Sequence, residues 1–543
     1  MAIAHRIRGK LVDLLGRRVY PATVTTENGR IADITEETSA PSLYLIPGFV
    51  DSHIHVESSM LTPTHFAQAA VVHGTVATVS DPHEIANVLG VKGIQFMLED
   101  ATHTPLKICF GVPSCVPATP FESAGANLDS RLVAELLDDE RLGYLSEMMN
   151  YPGVLAADPE VVAKIQAALD RGKPVDGHAP GLRRDEAKAY VAAGMSTDHE
   201  CTSKAEALDK LAAGCDIQIR QGSAARNFDA IYTLIDEQPD SIMFCSDDKH
   251  PDDLLVGHIN HLVRDAVARG IDPLNALQAA CVNPVMHYDL DVGLLRVGDP
   301  ADFVEVDDLD NFGVLRTWID GQLVAEEGTS RLAGHEVTPI NNFLAQPKTV
   351  DEFRLPATSN RIRAIEVKDG ELFTGSSIVE AKVVDRQFVS NPDADVLKIA
   401  VINRYQDRRP AVGFVHGVGL KRGAIASSVA HDCHNIVAVG TTEDDLCAAV
   451  NFVIANQGGL AAADGSEYAS LELPIAGLMS TRSCHEVAAE YGSLKSLARS
   501  WGTPLRAPFM TLSFLALLVI PELKLSDQGL FDARTFKFVD VAV

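Results

Sequence analysis

Residues 46–60 read IPGFVDSHIHVESSM. An apolar run ends in two histidines one residue apart, His53 and His55, with Glu57 two positions further on. In an extended strand, side chains at i and i+2 project to the same side, so the two imidazoles would stand together. Two imidazoles make half a metal site. A pair alone also fits two histidines bonded to backbone, and other donors have to decide. Similar segments supply them: Glu147 in LGYLSEMMN, His178 in KPVDGHAP, His199 in MSTDHEC and Asp247 in SIMFCSDDKH. Together these are enough nitrogen and oxygen ligands for two divalent ions. Imidazole and carboxylate without thiolate suit Zn2+, Mn2+ or Fe2+. Two ions flanking one water lower its pKa, so that it attacks an electron-poor carbon near neutral pH. Asp247 would accept the proton and pass it on.

The donors need a scaffold that brings them to one place. Short apolar segments, each followed by polar or ionisable residues, recur at 45–55, 75–84, 106–114, 142–150, 173–180, 195–201, 215–223 and 241–250. Helix-like stretches such as 158–172 and 203–214 lie between them. Strand then helix, repeated eight times, predicts an α/β fold, a (β/α)8 TIM-like barrel, whose chemistry gathers at the C-terminal ends of the strands. The ionisable residues fall at those ends. Strand-rich flanks at 1–44 and 297–324, with turn signals at Pro21, Asn28-Gly29 and Asp320-Gly321, predict one small split β domain. The expected division is 1–44 plus 288–334 for the small β domain and 45–287 for the barrel. A C-terminal α+β domain would cover 335–543, with its densest stretch at 413–440.

Bulk properties exclude some partners. The chain has 543 residues and a formal net charge of −28, a field that repels a nucleic-acid backbone. The longest apolar stretch, LSFLALLVIPEL (512–523), is too short for a membrane span and reads as buried core. MAIAHRIRGK lacks an apolar run with a cleavage site. The nine cysteines form no CxxC pair, which points to reduced thiols and a cytoplasmic protein. A domain of this size beyond the barrel makes a homo-oligomer the expectation.

Several other groups have two readings each. His83 and Glu84, in SDPHEIAN, suit substrate contact or proton transfer; the plainer reading is a helix start capped at Asp81-Pro82, which leaves His83 unexplained. Glu57 suits orienting the ligands or touching substrate. Arg220 and Gln221 suit substrate contact or local packing. His431 and His434, in HDCH, could face one way on a helix and hold a further metal, or sit in a loop that completes a neighbouring site. Cys433 reads as a small buried residue, NQGGL (456–460) as a turn. His65, His73, His103, His258 and His261 are expected on helices or surfaces without function.

PGFVDSHIH, the single histidines after strands five and six and the aspartate after strand eight resemble the amidohydrolase superfamily. HIHVESSMLTP, SDPHEIANVLG, GHAPGL, STDHE, SDDKHPDDLL, HDCHNIVAVG, PIAGLMS and VIPELKLSDQGLFD resemble its adenine deaminase family more closely. The resemblance spans nearly the whole chain. It implies a metal-dependent hydrolase that turns adenine, a small purine base, into hypoxanthine and ammonia in purine salvage. It also implies that His53, His55 and Asp247 hold one ion and His178 and His199 the second. Glu147 would bridge them where many relatives use a carboxylated lysine; Lys107 lies at the wrong end of its strand. Mn or Fe would be the metal, Zn the alternative, and Asp247, Glu147 and His199 the catalytic set. The rivals are a cyclic amidase of the dihydroorotase or hydantoinase kind, which usually carries that lysine, and a catalytically silent scaffold, which typically loses ligands.

Overall fold

The structure is a computed structural model that describes residues 5–543; residues 1–4 of the first flank lie outside the described residues. Eight parallel strands follow one another in chain order around a barrel. We number them β1 (Phe49–Ile54), β2 (Thr75–Ser80), β3 (Lys107–Val112), β4 (Leu142–Met148), β5 (Val175–Gly177), β6 (Thr197–Asp198), β7 (Asp216–Arg220) and β8 (Ile242–Cys245). The ring closes beyond β8. Asp247 N donates to His53 O at 2.9 Å, His55 N donates to Asp247 O at 3.3 Å, and Ser52 Oγ donates to Phe244 O at 2.9 Å. Helices lie between the strands, so every barrel strand is covered, and β1, β2 and β8 are buried along their full length. Each predicted barrel segment contains one of these strands.

The first segment divides in two. Tyr44–Pro47 pairs with His5–Asp13 on one side and Phe303–Val306 on the other, in a separate eight-stranded sheet; Phe49 then starts the barrel. This sheet draws its strands from 5–47 and 303–330. Its hairpins turn at Asn28-Gly29 and Asp320-Gly321, both residues of each pair having positive φ (51° and 80°, 46° and 69°), as a two-residue hairpin turn of the primed type demands. Pro21 does not mark a turn. It lies inside Arg18–Glu27, where its carbonyl accepts from Glu37 N at the end of the neighbouring strand, so its missing N–H falls where the ladder stops.

Beyond residue 330 the chain runs without regular structure to about 349. It then builds a third eight-stranded sheet. One face is alanine-rich (Ala400, Ala424, Ala426, Ala438, Ala461), which lets the helix Glu443–Ala455 seat Leu446, Val450 and Val453 closely on it. The 512–523 stretch is buried core: Leu512, Phe514, Leu515 and Leu518 are all inaccessible.

Candidate metal centre

The site forms at the C-terminal ends of the strands. His53 and His55 project together from β1, ring centroids 4.9 Å apart, as the two-residue period requires. His55 Nδ1 lies 3.1 Å from the Asp81 carbonyl oxygen, which turns Nε2 toward Asp247 and Glu147. Glu147, next to last in β4, reaches between the imidazoles. Its Oε1 lies 3.3 Å from His55 Nε2, its Oε2 2.6 Å from His178 Nδ1 and 3.1 Å from His199 Nε2. His178 and His199 directly follow β5 and β6, and the His199 ring stacks on His53 at 4.1 Å. Asp247, two residues past β8, has φ 54°, a left-handed turn that an aspartate tolerates. Its Oδ1 lies 3.2 Å from His55 Nε2 and 3.7 Å from His53 Nε2.

A buried lysine fixes two of the loops. Ser203 caps the helix Lys204–Ala212, and that helix carries Lys210 under the barrel rim. Lys210 Nζ pairs with Asp198 at 3.0 Å and donates to Ala179 O at 2.7 Å. Asp198 accepts from Ala179 N and Glu200 N. One carboxylate therefore sets the backbone beside both His178 and His199. Burial lowers the Lys210 pKa, but Asp198 outweighs it and the ammonium stays charged.

The electrostatics suit cations. Burial would raise the Glu147 carboxyl, yet His178, His199 and His55 hold it well below the usual range. Burial also opposes the Asp247 carboxylate, and Arg220 beside it wins, keeping it low. Burial and the neighbouring His199 keep His53 neutral. Neither ring nitrogen of His53 has a hydrogen-bond partner although the side chain is inaccessible; His178 Nε2 and His199 Nδ1 are also unpartnered. Buried polar atoms without partners are rare, and a divalent ion would satisfy them, displacing the protons that the neighbouring carboxylates favour on His55 and His178. The donor groups His53–His55–Asp247, His53–Glu147–His199 and His178–His199–Glu200 each converge closely enough for one ion.

The family is settled by comparison. Residues 44–324 match the amidohydrolase family model, and residues 371–537 match the adenine deaminase C-terminal domain. A protein of Salinibacter ruber named adenine deaminase is 55% identical over 543 residues, covering 99% of each chain. One of Methanosarcina barkeri with that name is 51% identical, covering 98% of each chain, and one of a Sulfurovum species is 51% identical, covering 98% of this chain and 99% of its own. The chain belongs to the adenine deaminase family. Among the described residues, no helix is long and apolar enough to cross a membrane.

In this member of the adenine deaminase family the C-terminal part walls the site. A narrow cavity of about 30 Å3, well below the usual size of a ligand site, is lined by His55, Glu147, His178, His199 and Asp247 together with Leu372, Phe514 and Leu517. HDCH lies in a loop, not on a helix, and brings His431 to the same cavity; His434 lies behind it against Glu84. His83 and Glu84 open the helix His83–Leu89, with His83 Nδ1 3.0 Å from Asp81 Oδ2. Glu57 accepts from Ile85 N at 3.2 Å and sits behind the ligands; burial lifts its carboxyl to about 7. Arg220 faces the cavity, paired with Glu200 and Asp247, whereas Gln221 turns away to Asp265. Lys107 sits at the opposite end of the barrel, bound to Asp302 and Asp320.

Some of this was not read from the sequence. Glu200, 3.5 Å from His199 Nε2, Asp248 and Asp432 all line the cavity, and each lies next to an assigned residue inside a motif already singled out. His258 is not a surface residue. It is buried with Nε2 2.8 Å from Asp51 Oδ2, beside β1. Leu372, Phe514 and Leu517 carry no chemical signal in the sequence.

Proposed function

We propose that the chain hydrolyses adenine to hypoxanthine and ammonia in purine salvage, using a pair of divalent cations. His53, His55 and Asp247 would hold one, His178 and His199 the other, with Glu147 between them. Mn or Fe is the favoured metal, and Zn suits the same donors. The observation that carries the reading is Glu147: one inaccessible carboxylate within 3.3 Å of imidazoles from β1, β5 and β6. The full-length likeness to proteins named adenine deaminase supplies the substrate.

Divalent cations, when bound, supply Lewis acidity that brings the pKa of water toward neutrality. Asp247 takes a proton from the water as its oxygen adds to C6, then delivers it to the amino nitrogen as the C6–N bond breaks and ammonia leaves. Arg220 keeps Asp247 ionised for the first step. Glu147 and His199 fix where the reacting oxygen can stand. His83, Glu84, Arg220 and Glu57 are the groups proposed to meet the purine or to orient those that do. Leu372, Phe514 and Leu517 exclude water from a neutral, flat base.

The proposed division is a small β domain (1–44 plus 288–334), a barrel (45–287) and a C-terminal domain (335–543); the strand Tyr44–Pro47 belongs with the small β domain, and the barrel's strands begin at Phe49. A cytoplasmic homo-oligomer is part of the proposal. Metal-loaded protein given adenine should release ammonia and hypoxanthine, and Glu147→Gln should not. No ammonia from adenine, with turnover of a dihydropyrimidine or hydantoin instead, refutes the reading in favour of a cyclic amidase.

A further inference from the structure

Beside the paired-cation cluster lies a second set of donors that the paired cations do not use, although His83 lies 3.5 Å from Glu147. His83 and Glu84 start the helix His83–Leu89; His431 and Asp432 come from the C-terminal loop. All four are at least 95% buried. Glu84 Oε1 lies 2.5 Å from His431 Nδ1 and 3.5 Å from His83 Nε2; Asp432 Oδ1 lies 3.8 Å from His83 Nε2 and 3.9 Å from His431 Nδ1. These separations surround a common point, as ligands around one ion do. His83 Nε2, both Glu84 oxygens and Asp432 Oδ2 lack a hydrogen-bond partner although they are sealed from solvent. The Glu84 contacts are close without hydrogen-bond geometry, which is how ligands of a shared ion approach one another.

The tautomers agree. Asp81 Oδ2, 3.0 Å from His83 Nδ1, accepts that nitrogen's N–H and leaves the lone pair of Nε2 free to ligate; a carboxylate behind a ligating histidine is the usual arrangement. His434 differs. Its Nδ1 accepts from Ala430 N, so its neutral ring carries the proton on Nε2, which faces Glu84 Oε2. His434 is therefore not a fifth donor: its Nε2 lies against Glu84 Oε2 without hydrogen-bond geometry.

We propose that His83, Glu84, His431 and Asp432 form a further divalent-cation site, separate from the pair around Glu147, that joins the barrel to the C-terminal domain. Two imidazoles and two carboxylates are a donor set for Mn2+, Fe2+ or Zn2+. The ligands come half from each part of the chain, so the ion acts as a clasp across the cavity wall. The site goes beyond the proposed activity, giving His83 and Glu84 an ion to hold in place of a direct contact with the purine.

The test counts metal. Full-length protein is stripped with chelator, reloaded with Mn2+, desalted and assayed for manganese per chain by mass spectrometry. His431→Gln and Asp432→Asn should each hold one equivalent fewer than the unaltered chain, whereas Glu147→Gln should keep this equivalent while losing the others. An anomalous difference map of unaltered crystals at the manganese edge should show a peak between Glu84 and Asp432, whatever the folding of the variants. Unchanged manganese in both variants, or no peak there, overturns the site. A peak there with none around Glu147 would uphold it and sink the paired-cation reading instead.

Discussion

Lys524 is inaccessible, and its ammonium nitrogen donates at 2.9 Å to two carbonyls, Leu372 O and Phe514 O, which belong to residues lining the cavity. Among the described residues no carboxylate pairs with it, and burial pulls its pKa from 10.5 down to about 7. The sign follows from proton counting. Between about pH 7 and 10.5 the unfolded chain binds a proton that the folded chain has released, so stability rises with pH across that window and the cost is greatest below it. At about 1.4 kcal/mol per pH unit the full cost approaches ~5 kcal/mol, a ceiling because the two carbonyls favour the ammonium. Lys524→Met removes the titration and also strands two buried acceptors, at about 1–3 kcal/mol each. The two effects nearly cancel near pH 7, and the loss dominates near pH 10. The stability difference between the two proteins should therefore widen by about 3–4 kcal/mol from pH 7 to 10, or ~3 °C in melting temperature for a chain of 543 residues. Differential scanning fluorimetry at pH 7, 8, 9 and 10 reads this. A difference that stays constant across the series refutes the argument and means that the lysine is charged throughout.

Asp247→Asn should lower turnover of adenine by about 10²–10⁴-fold, the range for losing a general base, in an ammonia-release assay. Lys210→Met leaves Asp198 buried without its partner and should cost about 3–5 kcal/mol, seen as a lower melting temperature together with weaker metal retention through the loops of His178 and His199. Chelation should abolish activity, and Mn2+ or Fe2+ should restore it; full activity in protein shown by metal analysis to be empty would contradict the proposed mechanism.

The barrel was legible because its signal is local and repeated. Each buried strand is a short apolar run, and each ends on a residue whose chemistry needs a reason. His53, His55, Glu147, His178, His199 and Asp247 stand out for that cause, and the structure brings them together within a few ångströms. Tyr44–Pro47 and Phe49–Ile54 could not be separated in the sequence, since one apolar run passes from one sheet into the next with only Gly48 between. His258 looked unremarkable because its partner Asp51 lies more than 200 residues away. The third sheet was the least legible. Its neighbours are out of chain order, and its alanine-rich strands carry little of the alternation that marks a strand. Arg220 had two open readings because only folding shows that Glu200 and Asp247 converge on it.

The cavity wall is finished by Leu517, some 270 residues downstream of Asp247. At ribosomal rates of about 5–20 residues per second, that gap lasts on the order of 15–50 s. A nascent barrel that folds as it emerges thus presents its imidazoles to the surrounding ion pool before any roof arrives. In the proposed reading, cations would enter most easily in that interval, and exchange after folding would have to pass the finished wall.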